Sequence, residues 1–261
     1  MTTPAMPSVF IGHGSPMNTI ELNQYTETWR NLGNTLPRPR AILAISAHWY
    51  VNALAVTAMS QPRTIHDFSG FPDELFSYQY NAPGSPDLAK RVVEILSPTP
   101  VIADESQWGL DHGTWSVLAH LYPDADIPVV QLSINASLPT NEHIAIGRRL
   151  APLCDEGILV LGSGNVVHNL SRINWAAGKS GHDWADRFDE HVAQLIDSDP
   201  SQLADASHHP DWNLAVPTPE HFLPLAYIAG IASERNIPMS RFNYSRTLGS
   251  LSMTSYIAGT I

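Results

Sequence analysis

Four of the twelve histidines stand where an apolar, strand-like run gives way to a loop or a helix start: His13 in FIGHGSP, His48 in AISAHW, His168 in GSGNVVHN and His221 in PTPEHFLP. Neutral imidazole is the commonest side chain used to hold a first-row transition metal. In an open α/β sheet, residues distant in sequence converge in the crevice beyond the carboxyl ends of the strands. Four imidazoles at equivalent strand ends therefore point to a metal site, although any one alone reads as an ordinary hydrogen-bonded residue. The single cysteine, Cys154 in RRLAPLCDEG, excludes an internal disulfide and restricts the metal donors to nitrogen and oxygen. Its thiol reads as packed and inert.

Other residues near these motifs suit proton transfer. In GLDHGTW, Asp111 precedes His112 just ahead of a helical run. A hydrogen bond between the two would orient the imidazole as an acid or base, with helix capping as the other reading of Asp111. Gly12 and Gly14 allow a sharp bend around His13, but the turn lacks the lysine of a phosphate-binding loop and the spacing of a dinucleotide fingerprint. Thr218 reads as an N-cap and Pro219 as the first helical residue, so Glu220 and His221 fall in a first turn whose dipole favours carboxylate and neutral imidazole. Glu220 is thus an alternative ligand to His221, because two histidines and a carboxylate form the usual non-haem ferrous set. The segment TIHDFSGFP, with His66 and Asp67, reads as a loop over the site or as surface decoration. Trp49, Phe68, Phe71 and Trp115 are candidate pocket walls or core residues.

The elements that must position these groups alternate along the chain. PSVFIG, AILAISA, ALAVTAM, TPVIA, IPVVQLSI and GILVLGSG read as strands, separated by helical stretches such as SPDLAKRVVEIL and TWSVLAHLY. Continuous apolar strands between helices predict a single α/β domain over residues 1–261, with three layers (α/β/α) and a largely parallel, mixed central sheet. RFNYSRTL and SLSMTSYI are expected to pair as an antiparallel hairpin at the sheet edge, joined at Gly249. The formal charge of −11 and the lack of a Lys/Arg cluster argue against a nucleic-acid partner. No stretch has the apolar length a bilayer requires and the N-terminus has no leader pattern, so the expectation is no membrane association and a cytoplasmic location.

Taken in order, GHGSPMN, SAHW, IHDFSGFP, GLDHGTW, GSGNVVHNL and PTPEHFLPL resemble the 4,5-DOPA extradiol dioxygenases, part of the class III, protocatechuate 4,5-dioxygenase-like ring-cleaving superfamily. The likeness runs from near the N-terminus to the SLSM segment. It implies a mononuclear metal held by His13, His48 and His221, with His168 as a further ligand or close neighbour. It also implies a proton acceptor at His168 and a proton donor at His112. The wider superfamily uses two histidines and one glutamate, which leaves the choice between Glu220 and His221 open. Fe(II) is the metal implied for turnover, with Zn(II) suited to retention in the purified protein. The implied small-molecule partners are O2 and a catechol, L-DOPA or a related one, and the product a muconic semialdehyde. Four histidines would equally suit a zinc hydrolase. The superfamily likeness also reaches non-catalytic, Memo-like binding proteins, against which the presence of both His112 and His168 speaks.

Overall fold

The computed structural model describes residues 5–260. Its parallel centre is formed by β1 (Ser8–Gly12), β2 (Ala41–Val51), β5 (Val129–Asn135) and β6 (Ile158–Gly164), in the spatial order β5-β2-β6-β1. Every residue of β1 and β6 is buried, as continuous apolar strands covered on both faces must be. On one side β3 (Leu54–Thr57) pairs antiparallel with β5 and carries β4 (Val101–Asp104) in parallel. On the other, β10 (Ser255–Ala258) and then β7 (Met239–Phe242) complete the eight-stranded mixed sheet in antiparallel pairings.

Alternate side chains of the central strands feed two cores. Leu43, Ile45 and Val160 point to the layer of α3 (Pro86–Ile95), α5 (Thr140–Leu150), α7 (Asp183–Ser198) and α9 (Leu223–Arg235). Ile42, Ala44, Leu159 and Leu161 point to α1 (Gln24–Thr35) and α4 (His112–Leu121). The result is the three-layer α/β/α arrangement read from the strand and helix periodicities. The short helices α2 (Asp73–Ser77), α6 (Pro152–Asp155) and α8 (Trp212–Ala215) lie in connections. Helix starts follow their caps: Asn23 and Thr26 form a reciprocal capping box on α1, and Ser85 caps α3 with Pro86 as its first residue.

Two local expectations need correction. RFNYSRTL and SLSMTSYI do pair antiparallel about Gly249, but not as one continuous ladder. Their outer halves pair as β7 and β10, whereas their inner ends form a separate two-stranded ribbon, β8 (Arg246–Thr247) with β9 (Leu251–Ser252). The tight turn lies inside this ribbon, at Gly249. The helix expected to begin at Pro219 is also interrupted. Pro219–His221 make one 3-10 turn, and α9 starts only at Leu223, because Pro224 lacks an N–H and is tolerated only in a first turn.

His143, on α5, is fully buried with its Nδ1 2.9 Å from the Tyr227 hydroxyl, and burial pulls its pKa down to about 4. The unfolded chain protonates this ring at the ordinary value of about 6.5. Stability from His143 is therefore fully present above that value and is lost as pH falls towards about 4, by roughly 3 kcal/mol in total. Urea unfolding of wild type and His143→Gln across this window should show the pH slope shrinking in the variant.

Candidate metal centre

His13 follows β1 directly, and its backbone N–H donates to the Gly164 carbonyl (3.0 Å), extending the β1–β6 ladder by one step. Gly14, at φ +66°, turns the chain away immediately afterwards. The His13 carbonyl accepts from Asn18 Nδ2 (2.9 Å), and the Asn18 carbonyl accepts from His120 Nε2 (2.6 Å) on α4. The loop is thereby tied to the helix beneath it.

The ring of His13 is braced from behind. Its Nδ1 lies 2.9 Å from Ser163 Oγ, and that hydroxyl spends its one hydrogen on the Gly113 carbonyl (2.6 Å). Ser163 can then only accept, so His13 carries its proton on Nδ1 and presents Nε2 as a lone pair.

His48 does not stand past the strand exit but within β2, at a shift in register against β5 between Ile45 and Tyr50. Such irregularities re-aim side chains at functional sites. Its Nδ1 is 2.7 Å from Asp67 Oδ2. The other carboxylate oxygen, Asp67 Oδ1, accepts from both the backbone N–H and the Nδ1 of His112 (2.9 Å each). Asp111 is not the orienting group for His112. It caps α4 through Thr114 N (3.1 Å) and pairs with the buried Gln131 of β5.

His221 is placed by its backbone. Its carbonyl accepts from Asn165 N (2.8 Å), and a Cβ on Gly164 would lie 2.1 Å from that oxygen, so only glycine permits the approach. Glu220 Oε1 sits 3.2 Å from His221 Nδ1 and also accepts from Thr218 Oγ1 (2.7 Å). His168 lies face to face with His221, ring centroids 3.5 Å apart and planes within 5°. Lone pairs on parallel rings run side by side rather than converging.

One ring nitrogen from each of His13, His48 and His221 falls within a common 4.8 Å sphere of mutual distances, and the Nε2 atoms of His13 and His48 face each other at 3.5 Å. Two nitrogens bound at about 2.1 Å to one tetrahedral ion would stand roughly 3.4 Å apart, so the donors fit a metal. His168 groups instead with Glu220 and His221, and His112 with His48 and Asp67.

The electrostatics keep most of these rings neutral. Burial, reinforced by the other imidazoles, holds His13 and His221 well below the ordinary histidine value. Burial lowers His168 to about 4 and also lowers His112, outweighing the pull of Asp67. For His48, burial is overcome by its hydrogen bond to Asp67 and the nearby Asp111 and Glu220, and the net shift is upward. Asp67 is held far below the usual carboxylate range, burial notwithstanding, by its bonds from His112 and His48.

Of the candidate walls, Phe68 meets His112 edge-on at 5.3 Å, with Phe71 packed against it at 5.5 Å. Trp115 is fully buried and donates to the Ile65 carbonyl, and Trp49 stacks on Trp108. Both tryptophans are packing residues. Asp67 and Ser163 were not singled out as site residues by the sequence, because they lie 45 and 150 residues away from their partners His112 and His13, respectively.

An α/β fold with clustered histidines at the carboxyl edge of a parallel sheet defines a metalloenzyme class, and comparison narrows it. The profile for the catalytic LigB subunit of aromatic ring-opening dioxygenase matches residues 4–253. The chain is 50% identical to the 4,5-DOPA dioxygenase extradiol of Escherichia coli (strain K12), over 99% of this chain and 97% of that protein. It is 38% identical to the protein of the same name from Beta vulgaris, over 87% of each. The crystal structure of an uncharacterised Escherichia coli K12 protein superposes with a TM-score of 0.84 at 45% identity, covering 97% of this chain and 100% of that one.

The chain belongs to the LigB family and, within it, to the 4,5-DOPA extradiol dioxygenases. It is therefore an extradiol dioxygenase, of a metal-dependent family. No helix among the described residues is long and apolar enough to cross a membrane.

Gly164→Ala should displace the His221 carbonyl, at a cost of about 1–3 kcal/mol in stability. Metal binding should weaken in the same variant. Urea unfolding of the metal-free chain and calorimetric titration with Zn2+ measure the two effects separately.

Proposed function

We propose that the protein opens the ring of a substituted catechol, L-DOPA or a close relative, beside its diol, giving a muconic semialdehyde. In this reading His13, His48 and His221 hold one ferrous ion, and Glu220 serves as hydrogen-bond partner to His221 rather than as a ligand. The observation that carries the reading is the facing pair of Nε2 atoms, each with its Nδ1 hydrogen already committed. Ferrous iron held by these three residues would supply the redox chemistry with O2.

The remaining residues divide the proton work. His168, kept neutral by burial, is in the form that accepts a proton from the catechol. His112 has its Nδ1 engaged by Asp67, so its Nε2 is the nitrogen left to exchange a proton with the opening ring. Phe68 shields His112 on one side and offers an aromatic edge to a planar substrate. The choice of L-DOPA is supported by the names of the bacterial and plant relatives.

The protein should be loaded anaerobically with Fe2+, mixed with L-DOPA or other catechols and then exposed to O2, following the yellow ring-opened product by absorbance. Turnover is expected with iron and not with zinc. His112→Phe should lower kcat about 10²- to 10⁴-fold while retaining bound metal. Equal catechol cleavage by the zinc form, or hydrolysis that tracks zinc content, would overturn the iron reading.

A further inference from the structure

We infer that Asp67 is a positioning residue that decides which nitrogen of His48 and of His112 faces the reacting centre, locking the metal side and the proton-transfer side of the site into one unit. The inference rests on the ligand set proposed above.

Three donors converge on this one carboxylate. His48 Nδ1 reaches Oδ2 at 2.7 Å, while His112 Nδ1 and the His112 backbone N–H reach Oδ1 at 2.9 Å each. An ionised carboxylate has no hydrogen to give, so both imidazoles must carry theirs on Nδ1 and turn Nε2 lone pairs inward. The two rings stand edge to face with centroids 3.8 Å apart, so neither can rotate independently of the other.

Asp67 is not delivered by a loose tip. Its segment is pinned to the residues leading into α4 by Leu110 N to the Arg63 carbonyl (2.9 Å) and Ile65 N to the Leu110 carbonyl (2.7 Å). Trp115 Nε1 adds a bond to the Ile65 carbonyl (2.9 Å). The carboxylate, the proposed ligand His48 and His112 therefore form a braced triangle.

Asparagine at this position separates charge, shape and tautomer. Its amide oxygen would take the Oδ1 place, where two hydrogens converge, leaving its NH2 against His48 Nδ1. Two donors cannot face each other, so His48 must move its hydrogen to Nε2, the atom 3.5 Å from His13 Nε2, and lose the inward lone pair. Partners of this kind behind a ligand are worth about 10- to 100-fold in metal affinity.

Long-range 1H–15N NMR of the full-length metal-free protein, at about pH 9 to keep imidazoles neutral, should show Nδ1–H for both His48 and His112 in wild type. In Asp67→Asn, His48 should switch to Nε2–H with His112 unchanged, and the Kd for Zn2+ should rise about 10- to 100-fold. Wild-type rings carrying hydrogen on Nε2 would overturn the inference, and this measurement stands even if the variant fails to fold. Unchanged tautomers and unchanged Zn2+ affinity in Asp67→Asn would overturn it as well. His13→Ala separates the two proposals: if it binds Zn2+ as tightly as wild type, the ligand set itself is wrong. If it loses Zn2+ while Asp67→Asn does not, only the role of Asp67 falls.

Discussion

Two acceptors face each other at the centre of this protein. With their Nδ1 hydrogens committed to Ser163 and Asp67, the Nε2 atoms of His13 and His48 approach to 3.5 Å with only lone pairs between them. The contact is unfavourable unless something positive sits there. A proton is a poor answer, because His13 is only 2% exposed and the other imidazoles oppose a charge on it. A divalent cation bound by the three nitrogens would replace its lost hydration with direct bonds. The folded chain thus holds its proposed ligands in an arrangement that a bound cation would relieve.

That arrangement follows from strand order and register. In β5-β2-β6-β1 the parallel strands end at one edge, and β6 lies between the two strands that supply His13 and His48. Ser163 pairs across with Ile11 on one side and Ser46 on the other, so the histidines two residues further along each neighbour flank the end of β6. Ser163 is then within reach of the His13 ring, and the bare backbone of Gly164 leaves room for the His221 carbonyl. A slip of one residue in either pairing would turn the braced face away from the site.

This dependence on register explains what the chain made legible. Buried strands and amphipathic helices are local patterns, so β1, β2, β5 and β6 and the capped helices were readable, as was His13 at the end of β1, whereas His48 lies inside β2. The contacts that orient those histidines are not local. Asp111, adjacent to His112, was the natural partner by proximity, yet a residue at an N-cap directs its carboxylate to its own helix. Asp67 comes from a loop whose path is set by tertiary bonds to Arg63, Leu110 and Trp115. The interrupted helix at Pro219 was readable in principle, since Pro224 marks where an uninterrupted α-helix can begin. The antiparallel pairing about Gly249 was readable too, but strand-like composition does not say how it divides between two sheets.

Two flanks surround the three facing nitrogens, and they differ in how the second histidine of each is held. Each has one of the proposed ligand histidines with a carboxylate on its Nδ1: His48 with Asp67, and His221 with Glu220. Each also has a second histidine, and here the environments part. His112 shares the carboxylate of its flank and meets His48 edge to face; the carboxylate pulls a proton towards the ring, but burial and the neighbouring His48 keep its pKa below the ordinary histidine value. His168 lies flat on His221, with no carboxylate hydrogen-bonded to it among the described residues, and burial holds it neutral to about pH 4. A divalent cation bound nearby would disfavour further positive charge on both His112 and His168. The two second histidines thus differ in what touches them, a carboxylate for His112 and an imidazole face for His168, while burial keeps both below the ordinary histidine value.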